Sequence, residues 1–383
     1  MKTNDALKII EIANRRDRKR FIRFQNRLYK GNKFFVPALE TDEHKLFSPK
    51  NPSWDDVELK EFLAVRGKVI VGRIAVVIQK TYNRLHNCKN ARFMRFDLID
   101  DAEVSKALLD SACAFARERG MEVIHGPLGF NDLDKEGLLI EGFDKMSTFA
   151  NFYNFDYYKT HLENYGFEKE CDWLEFVVPM PKSINPTLIK VAQRMAERLG
   201  LSVVSHKTSK SQILKRYGKK IFDVINECYA GLHGVIPITE AVRNDILKQF
   251  KTILRREHVC IVVDKNDNVA GFGLAAPNIS RSLNKSNGRL LNFGFLPLNA
   301  LRIKMEARRP KVIDLLLVAV MPEYRGRGVN AIIISETFNN LVKTKAEFLE
   351  SNLQMETNTA VQAQLDGYGK QLVKKRRCFK KAL

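Results

Sequence analysis

Apolar and polar positions alternate along this chain with periods that change in a regular order, and the order occurs twice. Near the N-terminus a basic run, Arg15 to Arg20, leads into an apolar-periodic segment that reads as an amphipathic helix with a solvated start. The motif Asn26-x-x-Tyr29-x-Gly31 follows, and then Val36-Pro37-x-x-Glu40. Two hundred positions later the same residues return as Asn226-x-x-Tyr229-x-Gly231 and Ile236-Pro237-x-x-Glu240. A spacing kept without a gap points to an internal duplication. Each copy then shows an apolar run, a turn and a second apolar run. These are Phe62–Val65 with Gly67 to Ala75, and Cys260–Val263 with Asp267 to Ala275, a hairpin signal in both places.

Later elements repeat in kind. In the first half, Met94–Ile99 reads as a strand and Glu103–Arg119 as a helix with Val104, Leu108, Leu109 and Cys113 on one stripe. Met121–Ile124 is a further strand, Tyr157–Tyr165 a short helix stopped by Gly166, and Cys171–Val178 a closing strand. In the second half, Ile313–Val320 is apolar almost throughout and is expected to be a central strand. A helix over Asn330–Lys343, a strand over Glu350–Met355, a helix over Ala360–Leu365 and a last strand over Gln371–Phe379 follow. Helices and strands alternating in this way predict a mixed α/β sandwich in each half. Pro179, Pro181 and Pro186 hold the chain extended between the halves, so the boundaries expected are 1–180, a linker over 181–186, and 187–383.

Composition narrows the classes. The 383 residues suit two domains, and 45% apolar with 28% charged residues suits globular ones. No run of eighteen apolar residues occurs and the first residues lack a secretory core, so a cytoplasmic protein is expected. The six cysteines form no CxxC pair and the seven histidines no HExxH or HxxxH spacing, so neither disulfides nor a metal are expected. A net charge of +20 favours anionic partners: a polyphosphate cofactor, a membrane surface on which the chain sits peripherally, or nucleic acid. No helix-turn-helix, zinc finger or aromatic RNA-binding strand is present, which argues against the last. The basic tail Lys374-Lys375-Arg376-Arg377 reads either as a frayed end or as a strand facing an anion.

The sharpest chemical signal is Val318-Ala319-Val320-Met321-Pro322-Glu323-Tyr324-Arg325-Gly326-Arg327-Gly328-Val329-Asn330. A buried strand runs into a glycine-punctuated turn that opens a helix. Such a turn lets backbone N–H groups approach a ligand, and the uncapped first turn of the helix is a seat for a pyrophosphate. This segment resembles the acetyl-CoA loop of the GNAT acyltransferase superfamily, Q/R-x-x-G-x-G/A, with Arg325 and Gly328 at the first two fixed positions and Asn330 at the small third one. Glu350, Glu356, Asn358 and Gly369 are similar to the family's fifth strand and following helix. The family's acidic tyrosine is replaced by Leu365, with Tyr368 offset by three. Tyr158–Leu162 and Asn164–Lys169 resemble the family's closing phrase in the first half, where Asp100, Asp101 and Glu103 stand in place of the phosphate loop.

The resemblance implies two tandem GNAT domains, the N-terminal one degenerate, and an N-acyltransferase taking acetyl-CoA or a longer acyl-CoA as co-substrate. Val318 to Val320 and Arg325 to Asn330 would hold that co-substrate, with Asn358 nearby. Glu356, Glu350, Glu240 and, behind them, Asp314 are the candidate bases for the amine, and Tyr368 the candidate acid. The sequence also admits a Fem-like transferase that uses aminoacyl-tRNA, and an acyl-CoA sensor without turnover. The motif Gly126-Pro127-Leu128-Gly129-Phe130-Asn131-Asp132 with Gly142-Phe143-Asp144 either faces a ligand or supplies turns. A long insertion, Asn278–Arg309, is rich in apolar and basic residues and reads either as an amphipathic lid, suited to a lipid-linked amine of the ceramide-synthase kind, or as a helix packed between the halves.

Overall fold

The computed structural model describes residues 5–205, 207–253, 255–291 and 296–383. Residues 292–295 of the predicted lid, and the first four residues, lie outside that set. The first half opens with β1 (Leu7–Glu11), α1 (Arg15–Leu28) and α2 (Glu40–Leu46). Asn14 caps α1, its side-chain oxygen accepting from the Asp17 amide at 2.9 Å. The hairpin β2 (Val57–Arg66) and β3 (Val69–Gln79) follows, then α3 (Lys80–His86), β4 (Asn90–Leu98), α4 (Ala102–Glu118), β5 (Val123–Gly126), β6 (Leu138–Glu141), α5 (Tyr157–Asn164) and β7 (Glu168–Pro179).

The second half begins with α6 (Pro186–Leu199), which starts on the last linker proline and ends on Gly200 at positive φ. It continues with β8 (Ser202–Val203), α7 (Lys210–Tyr229), α8 (Glu240–Ile253), and the hairpin β9 (Val259–Val263) and β10 (Val269–Pro277). The insertion forms α9 (Ser280–Ser286) and α10 (Leu298–Arg308). After it come β11 (Val312–Val320), α11 (Val329–Leu341), β12 (Phe348–Ser351), β13 (Gln354–Met355), α12 (Thr359–Gln362) and β14 (Gln371–Ala382). The repeat is a repeat of structure: Tyr29 and Tyr229 both stand at a helix C-terminus, and Glu40 and Glu240 both begin the next helix.

All the strands join one sheet, ordered β1-β2-β3-β4-β5-β14-β7-β12-β11-β10-β9-β8, with β6 on β14 and β13 on β7. Pairing is antiparallel except at β4–β5 and β11–β12, one parallel pair in each half. The last strands are exchanged: β14 of the second half lies against β5 of the first, and β7 of the first lies against β12 of the second. The predicted linker therefore does not separate two sheets. It leaves the end of β7, a strand in the middle of one.

Helices cover both faces. One core packs α4 on β2–β4, and a second packs α1 and Phe47 on the opposite face. In the second half α7 and α8 cover one face, while α6 and α11 cover the other. The basic tail is no frayed end. Lys374 and Arg376 are buried in the middle of the sheet against Glu175, and Lys374 also meets Glu350. The predicted strand over Glu350–Met355 divides into β12 and β13, because β12 pairs with both β11 and β7 while β13 pairs with β7 alone. The insertion shows part of each reading: α9 and the residues after it bridge to the first half, where Asn284 donates to the Asn32 and Phe35 carbonyls, while α10 leaves Leu298, Leu301 and Met305 exposed by 44%, 50% and 69%. No helix among the described residues is long and apolar enough to cross a membrane.

Candidate active site

Strands β11 and β12 are parallel neighbours only over Val312–Leu315 and Phe348–Ser351. The pairing closes where the Asn352 amide donates to the Leu315 carbonyl at 2.9 Å. The chain after β12 then turns to β7, while β11 continues to Val320 with β10 on one side only. A bulge in the β10–β11 register falls between Leu274 and Ala275, opposite Leu316. Beyond it, Met321 donates to the Ala270 carbonyl, so by strand alternation Val318 and Val320 turn their backbone groups away from β10, toward the open edge. Ala319 faces β10. The Tyr229 hydroxyl donates to the Val318 carbonyl at 3.1 Å, and the Arg325 Nε donates to the Val320 carbonyl at 3.2 Å.

The open edge runs straight into the glycine turn. After a short 3-10 turn at Pro322–Tyr324, Gly326 and Gly328 adopt φ of +69° and +87°. Gly328 is the N-cap of α11 and, having no side chain, leaves the first turn of the helix uncapped. The amides of Gly326, Gly328, Val329 and Asn330 have no hydrogen-bond partner among the described residues. Arg325, Gly326, Arg327 and Asn330 are exposed, and a Cβ at Gly326 would meet nothing within 4 Å. A Cβ at Gly328 would lie 2.7 Å from the Met195 Cγ of α6. The turn is thus packed from behind and open in front, and its donors suit an anion such as a pyrophosphate.

The predicted carboxylates are dispersed. Glu350 is buried on β12, in register with Asp314 of β11 and in contact with Lys374. Asn278, at the root of the insertion, donates to Asp314 at 2.8 Å. Burial and the Glu350 charge push the Asp314 carboxyl well above its usual range, and burial with the Glu175 charge raises Glu350 against the pull of Lys374. Burial also acts to raise Glu175, but the Arg376 and Lys374 charges outweigh it and hold that carboxyl down to about 2. Glu356 is tied across the seam, 2.7 Å from Lys169 and accepting from the Asp172 amide at 3.2 Å. Glu240 sits exposed at the start of α8, paired with Arg243. Asn358 caps α12, and Tyr368 packs edge-on against Phe338 beside the buried Leu365. Of the four predicted catalytic residues, only Glu350 lies on a strand that adjoins β11. Of its partners the sequence offered Asp314 alone, because Lys374 and Glu175 come from other strands and spacing along the chain does not say which strands pair.

The equivalent place in the first half is filled. β4 and β5 are likewise parallel only over Asn90–Arg92 and Val123–His125. Beyond that, the Leu98 amide donates to the Tyr158 hydroxyl at 3.0 Å, and the Tyr157 hydroxyl donates to the Leu98 carbonyl at 2.7 Å. Tyr29, Tyr153 and Phe155 pack against that plug. Where the second half has Gly328, the first has Asp101, whose carboxylate accepts from the Glu103 and Val104 amides at the start of α4. The Gly126–Asp132 motif folds on itself, with the Phe130 amide donating to Asp134 at 2.7 Å.

No family model matches the chain. It is 26% identical to Protein YghO of Escherichia coli over 97% of this chain and 94% of that protein. It is 26% identical to a bacterial ceramide synthase of Caulobacter vibrioides over 100% of this chain and 99% of that one. Among solved structures, a tandem GNAT protein from the clavulanic acid biosynthesis pathway superposes with a TM-score of 0.55 over 98% of both chains at 12% identity. With its paired parallel junctions, its two hairpins and that superposition over nearly the whole length, the chain carries the GNAT fold, built twice along one sheet.

Proposed function

We propose that the chain is an acyl-CoA-dependent N-acyltransferase whose working site lies in the second half, at the open edge of β11. The observation that carries this reading is the continuity of that edge with an uncapped helix start: Val318 and Val320 face the gap, and Gly326 to Asn330 offer unpaired amides at its end. Acyl-CoA supplies a thioester for an amine to attack. Gly326, Gly328, Val329 and Asn330 hold its phosphates, with Arg325 and Arg327 adding charge. The amides of Val318 and Val320 are placed to steady a developing oxyanion, a role typically worth about 3 to 4 kcal/mol per donor. Asp314 and Glu350 are the candidate proton acceptors on β11 and its neighbour β12, and burial raises both, so that each holds a proton more firmly than a solvated carboxylate does. Glu356, already bound to Lys169, is the weaker choice. The first half, with its gap plugged by Tyr158 and its helix capped by Asp101, serves as scaffold.

A lipid-linked amine is the acceptor class we favour. Leu298, Leu301 and Met305 of α10 are exposed, and a surface groove of about 410 Å³ between α9 and α10 is lined by Arg281, Ser282, Lys285, Arg302, Met305 and Glu306, three cations to one carboxylate. Apolar side chains flanked by cations suit an amphipathic acceptor at an anionic surface. The full-length similarity to the ceramide synthase of Caulobacter vibrioides points the same way.

The test is thiol release from a panel of acyl-CoAs with short polar amines and long-chain amino alcohols. Turnover confined to the long-chain acceptors supports the lipid reading. CoA binding without turnover on any amine replaces the enzyme with a sensor, and turnover unchanged in Gly328→Val removes the site.

A further inference from the structure

Four side chains from separate parts of the sequence meet at the seam between the halves. His125 is on β5, Glu170 near the start of β7, His233 in the segment between α7 and α8, and Cys378 on β14. One donor atom from each lies within 4.8 Å of every other. Glu170 Oε2 is 3.0 Å from His125 Nδ1, and 3.2 Å from both His233 Nε2 and Cys378 Sγ. His125 and Cys378 are fully buried, while the side chains of Glu170 and His233 keep 19% and 18% exposure, which leaves a way in. Leu128 and Trp173 wall the place with apolar surface, and the Cys171 thiol lies against Cys378 and His233 at its side. Acyl transfer at β11 uses none of the four.

Two imidazoles, a thiol and a carboxylate are the donor set of a borderline-soft divalent cation, not of calcium or magnesium, which take oxygen. Zinc bonds of about 2.0 to 2.3 Å set tetrahedral donors roughly 3.3 to 3.7 Å apart. The observed separations, from 3.0 Å up to a limit of 4.8 Å, bracket that spacing, so small side-chain rotations suffice. Four protein donors leave no coordination position for water, the pattern of a structural site.

We propose that His125, Glu170, His233 and Cys378 form a closed site for one zinc-type divalent cation, fastening the C-terminal strand and the α7–α8 segment of the second half to the first. Binding exchanges the Cys378 S–H bond for a metal–sulfur bond, and the proton leaves to solvent with no change of oxidation state. His233 stands four residues after Tyr229, whose hydroxyl holds the Val318 carbonyl, and the buried Arg92 donates to the Gly234 carbonyl at 2.8 Å. The cation thus anchors the segment that follows the end of α7, where Cys228 and Tyr229 meet β11. Cys171 faces Cys378 directly in the β7–β14 register, so a disulfide between them is the competing fate of this thiol.

The full chain, freed of any histidine tag, is loaded with Zn²⁺, desalted and assayed for bound metal. We expect about one zinc per chain, falling roughly tenfold in Cys378→Ser. Loaded with Co²⁺, the parent and Cys171→Ser should show a thiolate-to-cobalt charge-transfer band that Cys378→Ser lacks. The parent measurements stand even if Cys378→Ser fails to fold. Zinc below about a tenth of an equivalent in the parent, a cobalt spectrum without the sulfur band, or an intact mass short by two hydrogens from a Cys171–Cys378 bond would each overturn the site.

Discussion

Gly328 and Asp101 occupy the same place in the two copies, and the difference between them decides which helix start can receive an anion. The carboxylate of Asp101 consumes the amides of Glu103 and Val104, whereas Gly328 offers nothing of its own and leaves the amides of α11 free. Changing Gly328→Val places a β-branched residue at φ +87° with its Cβ against Met195. We expect CoA affinity by calorimetry to fall at least about tenfold, or 1.4 kcal/mol. A milder effect is expected for Gly326→Ala, whose Cβ meets no neighbour and which bears only the backbone strain of φ +69°. Glu175 makes the second residue-scale prediction. Glu175→Gln leaves Lys374 and Arg376 buried with half their partners, and should cost about 3 to 5 kcal/mol by denaturant unfolding. Its folded carboxyl is held down to about 2, below the unfolded value, so its stabilisation is present above the unfolded pKa and is lost as pH falls toward 2. Asp314 and Glu350, both raised, have the opposite sign: what they contribute is present at low pH and is lost as pH climbs through their folded values. The Glu175→Gln protein should therefore lose less stability than the parent between about pH 5 and pH 2.

Among the elements, the hairpins and the helices with a clean apolar stripe were legible in the sequence, because hydrophobic periodicity reports which face is buried. The sites of strand exchange were not. The tail Gln371–Ala382 carries a dense run of cations that composition alone assigns equally to solvent or to an anion. Only its neighbours Glu175, Glu350 and Asp172 make it a central strand. Removing β14 should strip β5 and β7 of a shared partner, so a chain ending at Gly369 is expected to lose its cooperative transition by circular dichroism. The lid makes a separate prediction. Leu301→Glu with Met305→Glu on the exposed face of α10 should reduce co-sedimentation with anionic vesicles several-fold and leave the unfolding midpoint within about 2 °C, since neither side chain is in a core.

The whole molecule behaves as one body because the sheet and the exchanged strands pass through the middle. Heat or denaturant should unfold both halves in one transition, and expressing residues 1–180 and 187–383 as separate chains should yield poorly folded material that recovers structure on mixing. Two independent transitions in the intact chain would contradict the exchanged seam. At this scale the charge of +20 also divides into two populations. Some cations, such as Lys374 and Arg376, are spent inside on carboxylates, while others, such as Arg327, face water at the end of the open edge. Salt should accordingly weaken CoA and vesicle binding far more than it weakens the fold, as screening acts on exposed charges.

The chain alone determined the duplication, the paired hairpins with most of the strands and helices that follow them, and the glycine turn after β11, since each is written in residues close together in sequence; β1, α3, β6, α6 and β8 were not legible there. Tertiary structure decided what lies far apart: that β14 and β7 change places, that the tyrosines of the first copy plug its gap, that Glu350 meets Asp314 and Lys374, and that two histidines, a glutamate and a cysteine share one pocket. Periodicity encodes which side of a segment is buried but not which distant segment buries it, and that pairing is set only when the strands find their neighbours.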